Sequence, residues 1–350
     1  MNKGIKDIAA RLKVSPTTVH KAIHGKKGVS EKTRNTILNY IEQNDFRPNR
    51  AAAALKRQLI KLACVLVEPS GRNLFFYQDI LSGIQTAIIE LQAFNVETSV
   101  FFTSFSVDEQ IKILEKLLME EGDSLNGLVI TPVHDEKLND IIRRFAEKKI
   151  AIVTLNSDAE GSARHANVSC DNIMIGRSAG ELMAAFLGDC KSGKILLLGG
   201  YRYLRNHQET AQGFISIISE LKGEMDIFEC YEFDDPARLK RYMKAYLESF
   251  ADIRGVYCNN LRNTLTACET IRKLSFSRKL KVIGSDVHSE MLSFFEDNTL
   301  NATIFQNPQQ QAGKSLWNLY YLVTNEEKVS EFTKTSIGIV IRSNVKSYLQ

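Results

Sequence analysis

A chain of 350 residues is too long for one typical domain and suits a small domain followed by a larger two-lobed one. Hydrophobic residues make up 44% of it and charged residues 25%, as in a globular protein rather than a disordered or fibrous one. The net charge of +4 is unevenly spread: residues 1–58 carry 13 Lys/Arg against 4 Asp/Glu, a net +9, and the remainder carries a net −5. A small basic end on an acidic body is typical of a nucleic-acid binder with a separate sensing domain.

The sequence shows neither the features of a membrane protein nor those of a secreted one. No apolar run approaches the length of a membrane helix, and the first residues, MNKGIKDIAARLKV, lack the apolar core of a signal peptide, so we expect a cytoplasmic protein without a membrane partner.

The six cysteines are scattered singly, without CxxC or Cys/His spacing. They are therefore expected to be reduced and mostly buried, and no metal site is predicted.

The first 25 residues predict two short helices joined by a tight turn. Ser15 offers an N-cap oxygen, Pro16 suits the first helical position, and Gly25 ends the second helix. Two short helices joined in this way form a helix-turn-helix. Apolar residues recur at helical spacing in both segments, at Ile5, Ile8, Ala9 and Leu12 and again at Val19, Ala22 and Ile23.

The outward face of the second predicted helix carries hydrogen-bonding groups rather than the Glu/Lys mixture of an ordinary solvated surface. A third helix is predicted after Ser30, with Ile37, Tyr40 and Ile41 inward. A generic three-helix bundle is the alternative, but the motif, the basic charge and the scarcity of acidic residues favour DNA binding. The outward residues of the second helix are Pro16, Thr17, Thr18, His20, Lys21 and His24.

The stretch FRPNRAAAALKR, residues 46–57, separates the basic segment from the rest. Pro48 and the following alanines favour a short helix, which would be marginal in water unless a partner held it. Arg50, Lys56 and Arg57 suggest that the partner carries phosphates, and Leu55 could act as a wedge in a minor groove. A flexible interdomain linker explains the residues of this stretch equally well.

Residues 5–55 resemble, without a gap, the DNA-binding head of the LacI/GalR family of transcriptional regulators. The resemblance rests on VSxxTV, on G-x-x-x-VS-x-x-TR and on PN-x-x-A-x-x-L. In that family residues 46–57 would form a hinge helix, ordered on the operator, with Leu55 wedged into the minor groove. The resemblance implies DNA contacts, beyond the outward face of the second helix, from Ile5, Ser15, Ser30, Thr33, Arg34, Asn49, Arg50, Ala52 and Leu55.

From residue 60 onward strands and helices alternate, which predicts parallel, doubly wound sheets. One series runs from LACVLVE (62–68) to IAIVTLN (150–156), and a second begins with a helix after Cys170. The predicted fold is thus a small all-α helix-turn-helix domain plus an α/β effector domain of two doubly wound parallel-sheet (Rossmann-like) half-domains. This α/β part also resembles the effector domain of the same family, which is related to periplasmic sugar-binding proteins.

The predicted domains are a DNA-binding domain over residues 1–46, a hinge over 47–59 and an effector-binding and dimerisation domain over 60–350. Within the last, one half-domain is predicted to hold residues 60–161 and 304–329. The other is predicted to hold residues 162–303 and 330–350.

Polar and aromatic residues at strand ends are the candidate ligand contacts, because open α/β sheets bind ligands at the carboxyl ends of their strands. Phe76 could instead seal the core, and Asp286 could instead cap the next helix. By resemblance, Asp286, Asn260 and Gln306 match positions that contact the effector. The candidates are Asn73, Phe75, Phe76, Tyr77, Asn156, Asn260, Asp286 and Gln306.

One position departs from the family pattern R-x-x-GF, because Thr210 stands where many sugar-responsive members carry arginine. Arg205, Asn206, His207 or Gln208 could substitute for it, and Arg205 is the strongest of these. Amides, rings and one carboxylate suit a neutral polyhydroxylated ligand. Asp171 and Asn172 resemble the V-x-x-DN of the family and are interpreted as capping a helix rather than binding.

Enzyme signatures are missing from the sequence. The pair of glycines at 199–200 lacks the continuation of a phosphate loop, and no nucleophile elbow or metal spacing of histidines occurs, so no catalytic residue and no cofactor is predicted. Together with the family resemblance, the sequence predicts a homodimeric transcriptional repressor that binds a near-palindromic double-stranded operator and responds to a small carbohydrate effector. The alternatives are a solute-binding protein without a DNA role and a sugar-metabolising enzyme.

Overall fold

The computed structural model describes residues 5–23, 27–43, 58–71, 74–134, 136–202, 204–231, 235–274 and 280–349. For Ile5 and His20 it describes the backbone only. The proposed contacts His24, Asn49, Arg50, Ala52, Leu55 and Asn73 lie outside the described residues, as does the hinge apart from residues 58 and 59. The described chain forms a small helical unit and a large α/β unit.

The helical unit has three helices, α1 (Ile5–Arg11), α2 (Pro16–Ile23) and α3 (Glu31–Gln43). Side chains from all three helices form its core, because the predicted helical spacing puts their apolar residues on inward faces. The predicted helix-turn-helix is confirmed. The fully buried residues of this core are Ile8, Ala9, Val19, Ala22 and Ile37.

Serine caps set the starts of α2 and α3. The Ser15 hydroxyl accepts a hydrogen bond from the Thr18 backbone N–H at 3.0 Å and lies 2.8 Å from the Thr18 hydroxyl. Ser30 and Thr33 repeat this arrangement at 3.2 and 2.7 Å. The two serine side chains thus each satisfy an N–H group that a helix leaves without an internal partner.

The first lobe of the α/β unit begins with alternating strands and helices: β1 (Ile60–Val67), α4 (Leu74–Gln92), β2 (Val96–Thr103), α5 (Val107–Glu121), β3 (Gly127–Ile130), α6 (Asn139–Glu147), β4 (Ala151–Leu155) and β5 (Ala166–Cys170). Its sheet has the order β11-β5-β4-β3-β1-β2, where β11 (Phe332–Thr335) arrives late in the chain. Strands β1, β3, β4, β5 and β11 pair in parallel.

The second lobe contains α7 (Asn172–Leu187), β6 (Ser192–Leu198), α8 (Arg205–Leu221), β7 (Glu224–Cys230), α9 (Pro236–Ser249), β8 (Ile253–Cys258), α10 (Leu261–Leu274), β9 (Lys281–Ser285), α11 (Leu292–Glu296) and β10 (Ala302–Phe305). Its sheet has the order β12-β10-β9-β8-β6-β7, and β12 (Gly338–Val340) runs antiparallel to β10. Helix α12 (Pro308–Thr324) returns to pack on β3, β4 and β5 of the first lobe. The prediction of two doubly wound half-domains is confirmed.

The crossings between lobes lie elsewhere than the sequence predicted. Residues 166–170 and 332–335, both assigned to the second half-domain, form β5 and β11 of the first sheet, whereas β12 at 338–340 does lie in the second sheet. Residues 304–305 belong to β10 of the second sheet. Strand β5 was missed because ANVSC has no apolar run: Asn167 and Ser169 are buried, and Asn167 donates to the Thr154 hydroxyl at 3.1 Å. Such polar groups are stable inside only when tertiary contacts satisfy them.

Glycines let helices approach closely in both lobes. A Cβ on Gly176 of α7 would lie 1.9 Å from the Thr210 carbonyl oxygen of α8, and one on Gly213 would lie 2.2 Å from the Ile173 oxygen. In the first lobe, a Cβ on Gly83 of α4 would lie 2.3 Å from the Gln309 oxygen of α12. Backbone packs directly on backbone at these points, so no side chain larger than hydrogen fits.

No helix within the described ranges is both long enough and apolar enough to cross a bilayer.

We expect Gly176→Ala to lower the free energy of unfolding by about 1–3 kcal/mol, because the added methyl group must push α7 and α8 apart. Urea denaturation of the full chain measures this. Gly313→Ala is the matched control, since a Cβ there meets nothing closer than 3.7 Å and alanine favours a helix interior. Equal stability of the two variants would contradict the close packing of α7 on α8.

Candidate functional site

A pocket of about 700 Å³ lies between the two lobes of the α/β unit. Its walls come from residues that follow the carboxyl ends of strands in both sheets, as expected of open α/β sheets. The lining combines amides, one carboxyl group, one imidazole, one guanidinium and four aromatic rings. The lining residues are Phe76, Tyr77, Phe105, Asn156, Asn172, Tyr201, Leu204, Asn206, His207, Thr210, Asn259, Asn260, Leu261, Arg262, Asp286 and Gln306.

Asp286 supplies the carboxyl group, directly after β9. Its φ of 59° is a left-handed conformation that aspartate tolerates better than most residues. One carboxyl oxygen accepts from the Gln306 backbone N–H and the other from the Gln306 side-chain amide, both at 3.1 Å. Asp286 does not cap the following helical turn, because His288 occupies that N-cap position and accepts from Glu290 N–H at 3.4 Å.

Burial raises the pKa of Asp286 to about 7, and the nearby Asp79 carboxyl adds to the rise. The two hydrogen bonds from Gln306 oppose this shift but do not cancel it. The carboxyl group therefore titrates near neutral pH rather than in the acidic range of an ordinary aspartate. Each of its oxygens retains a lone pair that can accept a hydroxyl hydrogen.

Asn156 takes the corresponding place in the first lobe, directly after β4, with a φ of 65°. Its amide nitrogen donates to the Gln311 side-chain oxygen at 3.3 Å, and its oxygen accepts from the Asn206 amide of the other lobe at 3.5 Å. Gln311 in turn donates to the Gln306 carbonyl at 2.8 Å. A chain of amides therefore connects the two lobes at the base of the pocket.

Asn260 lines the pocket after β8 but also serves the fold. Its side-chain oxygen accepts from the Asn263 backbone N–H at 2.8 Å, so it stabilises the start of α10. Its amide nitrogen lies 3.5 Å from the Asn259 side-chain oxygen, within reach of a ligand in the pocket. Asp171 caps α7 as predicted, by accepting from Met174 N–H at 3.0 Å. Its neighbour Asn172, predicted not to bind, nevertheless lines the pocket.

Three aromatic rings form a connected wall across the lobes. The Tyr77 and Phe105 rings meet edge to face with centroids 5.6 Å apart, and the Phe105 and Tyr201 rings are 5.4 Å apart. Phe76 lines the pocket beside Tyr77, so the alternative that it seals the core is wrong. Such ring faces can cover the C–H side of a sugar or the plane of a heterocycle.

Phe75 is not part of the pocket. Its ring stacks on the His288 imidazole with centroids 3.5 Å apart and packs against the core of the second lobe. Side chains that follow one another in a helix point in different directions, so three consecutive aromatics cannot all face one cavity. Phe105 and Tyr201 were not predicted from the sequence. Both follow the ends of strands, β2 and β6, so the rule that ligands bind at the carboxyl ends of strands could have found them.

His207 is the second titratable group in the pocket. Its Nδ1 accepts from the Tyr201 backbone N–H at 2.8 Å, so this nitrogen carries no proton. Burial, assisted by the Arg262 guanidinium, lowers the pKa of His207 to about 4. The imidazole is therefore neutral at pH 7.

Arg205 lies outside the pocket, contrary to its prediction as a ligand contact. It forms ion pairs with Glu160 of the first lobe and, at 2.7 Å, with Glu209 of its own helix. Its guanidinium therefore joins the two lobes. Thr210, at the position of the family arginine, lines the pocket and donates its hydroxyl hydrogen to the Asn206 carbonyl at 2.8 Å.

In the helical unit, Pro16 and Thr17 are exposed on α2, and Lys21 is half-buried. Thr18 is engaged by the Ser15 cap, and Thr33 by the Ser30 cap. The Thr18 and Thr33 side chains thus take part in the helix starts, whereas Pro16 and Thr17 are exposed on α2.

Groups of His, Cys, Asp or Glu suited to a metal ion are not found among the described residues. Burial raises the pKa of Cys170 to about 11 and those of Cys64 and Cys230 to about 12. These thiols stay protonated and poorly nucleophilic. Hydrogen-bonding groups opposite aromatic faces equip the pocket to hold a small polar molecule.

Two family models match the chain. One, a periplasmic binding protein domain, matches residues 65–327. The other, bacterial regulatory proteins of the lacI family, matches residues 4–49.

Similar curated proteins fall into two groups. The ribose import binding protein RbsB of Bacillus subtilis is 27% identical over 194 residues, which are 55% of this chain and 60% of RbsB. The HTH-type transcriptional repressor PurR of Mannheimia succiniciproducens is 25% identical over 351 residues, and that of Vibrio cholerae 27% identical over 353, each covering 98% of both chains. The chain thus spans about 60% of the length of that ribose import protein and nearly all of the PurR repressors.

Solved structures share the fold of the α/β unit. A solute binding protein from Burkholderia graminis in complex with D-arabinose has a TM-score of 0.74 at 18% identity, covering 83% of this chain and 98% of that one. One from Agrobacterium vitis with bound D-fucose has a TM-score of 0.73 at 22% identity, covering 83% and 100%. With its two-lobed α/β unit, the chain belongs to the periplasmic binding protein domain family, and its helix-turn-helix segment, residues 4–49, matches the bacterial regulatory proteins of the lacI family.

Proposed function

We propose that the chain is a cytoplasmic, homodimeric, DNA-binding repressor that is controlled by a small neutral sugar or sugar derivative bound between its lobes. The observation that carries the effector proposal is the pocket, whose lining combines amides and the Asp286 carboxyl group with the Tyr77, Phe105 and Tyr201 rings. This chemistry satisfies hydroxyl groups and covers an apolar ring face. Binding proteins of the same fold hold D-arabinose and D-fucose, which supports the same ligand class.

The effector contacts proposed here differ from those predicted from the sequence. Phe76, Tyr77, Asn156, Asn260, Asp286 and Gln306 are retained, because all six line the pocket. Phe75 and Arg205 are removed, because their side chains are engaged elsewhere. Phe105 and Tyr201 are added.

The helical unit supplies the DNA-binding half of the proposal. Two copies of α2 would enter successive major grooves of a near-palindromic operator, with base contacts from Thr17, Thr18, His20 and Lys21. Lys and Arg side chains of the basic segment would contact phosphates and supply most of the affinity. Closure of the two lobes around the effector would then change how the paired hinges hold the DNA.

The proposal as a whole is tested by selecting DNA from a random pool with the full chain and then titrating the selected DNA with neutral monosaccharides. The selected sequences should contain two inverted half-sites, and one sugar should change the DNA affinity. If a planar heterocycle binds tightly and no sugar does, the effector class is wrong. If no sequence is enriched, the DNA-binding role is wrong.

We expect affinity for the selected DNA to fall steeply with salt, because several phosphate contacts per dimer release counterions. Lys21→Ala should cost about 1–3 kcal/mol and relax selection at one position of each half-site. Lys191→Ala, an exposed lysine of the α/β unit, is the control and should leave DNA binding unchanged. A flat salt dependence, or equal behaviour of the two variants, would contradict the basic head as the DNA-reading surface.

Effector affinity should rise as the pH increases from about 6 to 8, because the ionised Asp286 accepts hydroxyl hydrogens and its pKa lies near 7. Asp286→Asn should weaken binding by roughly 1.5–3 kcal/mol at pH 8 and flatten this pH dependence. Calorimetry at several pH values measures both effects. Asp297→Asn is the control, since Asp297 lies outside the pocket and pairs with Arg272. An unchanged profile in Asp286→Asn would show that another group titrates.

Arg205→Ala should weaken effector binding only modestly, by less than about 1 kcal/mol, because the pair with Glu160 is largely exposed and screened by salt. The effect should shrink at high salt and should not add to that of Glu160→Ala in a double-mutant cycle. Arg143→Ala, which removes ion pairs within the first lobe only, is the matched control. Complete loss of binding in Arg205→Ala would instead place Arg205 on the ligand.

A further inference from the structure

His207 stands in the pocket wall with one ring nitrogen engaged and the other available. Nδ1 accepts the Tyr201 backbone N–H at 2.8 Å, and a neutral imidazole with an unprotonated Nδ1 carries its proton on Nε2. Within the part of the chain that the structure describes, no protein group accepts a hydrogen bond from Nε2. The ring thus presents a single N–H donor, and it does so in the lining of the pocket.

The orientation of this ring is set by its surroundings. A Cβ on Gly200 would lie 2.2 Å from Nδ1, so the imidazole can fold back onto the loop after β6 only because that residue is glycine. The His207 backbone is held from both sides, since its N–H donates to the Asn206 side-chain oxygen at 2.9 Å and its carbonyl accepts from the Asn259 amide at 3.3 Å. The two glycines at 199–200, which resembled an incomplete phosphate loop, thus make room for side chains.

The charged and titratable groups around the ring keep it neutral. The Arg262 guanidinium lies over the Tyr201 ring, 5.6 Å from its centroid, and the Tyr201 ring is nearly parallel to the imidazole at 6.1 Å. Asp286 lines the same pocket, but burial and Arg262 dominate and lower the pKa of His207 to about 4. The two titrating groups of the pocket are therefore separated by about three pH units.

We propose that His207 determines effector specificity by donating its Nε2 hydrogen to an uncharged oxygen of the ligand, namely a hydroxyl, ring or carbonyl oxygen. This inference rests on the proposed function of the pocket. Thr210, one helical turn after His207 in α8, stands where the family pattern has an arginine. The proposal gives His207 the role of hydrogen-bond donor that this arginine would have. At this place on α8 a single neutral donor, which matches one neutral acceptor, stands instead of an arginine fork, which suits a carboxylate or phosphate. The Arg262 guanidinium of the same pocket comes from α10 and lies over the Tyr201 ring.

The donor role is tested by calorimetry on the full chain with D-ribose, D-arabinose and D-fucose, at pH 7.5. His207→Ala should weaken the binding of the sugar that binds best by roughly five- to a hundredfold, because a ligand oxygen then loses its donor. His207→Gln should recover part of the loss, since its amide can accept from Tyr201 and donate to the ligand. Gln208→Ala is the matched control, because its side chain is exposed outside the pocket and bonds the Arg202 carbonyl.

The protonation state is tested separately by ¹⁵N NMR of histidine-labelled protein, with the His207→Gln variant assigning the signal among six histidines. We expect the Nε2–H tautomer without titration between pH 5.5 and 8. Unchanged sugar affinity in His207→Ala, an Nδ1–H tautomer or a titration near pH 6.5 would each overturn the inference while leaving the proposed function intact. If none of the three sugars binds the wild-type chain, the effector class proposed for the pocket fails, and this inference fails with it.

Discussion

The structure of the α/β unit depends on the place where the chain passes between its two lobes. In the described residues the chain passes from one sheet to the other after β5, after β10 and between β11 and β12. The Cys170 thiol joins all three passages, because it donates to the Gln306 carbonyl at 3.0 Å and lies 3.2 Å from the Thr335 hydroxyl. The three passages are therefore hydrogen-bonded to one another and form one strip between the lobes. A movement of one lobe relative to the other must bend this strip.

The pocket is built outward from this strip. Asn156 and Asp286 follow the third strand of their respective sheets, and both have a left-handed backbone. The N–H of Asn156 bonds the Val168 carbonyl, and that of Asp286 bonds the Ile304 carbonyl, so each residue is held by the neighbouring strand that leads into a passage. The two lobes thus present an amide and a carboxyl group from equivalent places, and Gln306 and Gln311 connect them. A ligand in the pocket would therefore contact groups from both lobes, and its contacts would depend on how the lobes are placed relative to each other.

The electrostatic design separates two tasks. The net positive charge lies in the first 58 residues, while the pocket holds one carboxyl group with a raised pKa, one neutral imidazole, one guanidinium and several amides. Charge acts over a distance and suits a polyanion, whereas neutral directional groups suit a small ligand that must be distinguished from others. The half-buried Arg205 pairs across the lobes with the exposed Glu160, where water weakens the ion pair.

The sequence by itself determined the class of the protein. Local rules located the helices of the helix-turn-helix, their serine caps and most strands of the α/β unit, because helical spacing, cap residues and apolar runs are properties of neighbouring residues. The strand-end rule also found Tyr77, Asn156, Asn260, Asp286 and Gln306, since the carboxyl edge of a parallel sheet is implied by chain order alone.

Only the tertiary structure decided which of these side chains line one pocket. It also decided where along the chain the passages from one half-domain to the other lie. Strand β5 was missed because its buried Asn167 depends on hydrogen-bond partners in other segments, and its buried Ser169 in turn donates to Asn167. Phe75 and Arg205 were wrongly placed in the site, since the His288 ring and the Glu160 carboxylate that engage them lie in the opposite lobe. His207 acquires its donor tautomer from the Tyr201 amide and the space above Gly200. Contacts that form only when the chain is folded set the orientation and protonation of a side chain, and no local pattern encodes them.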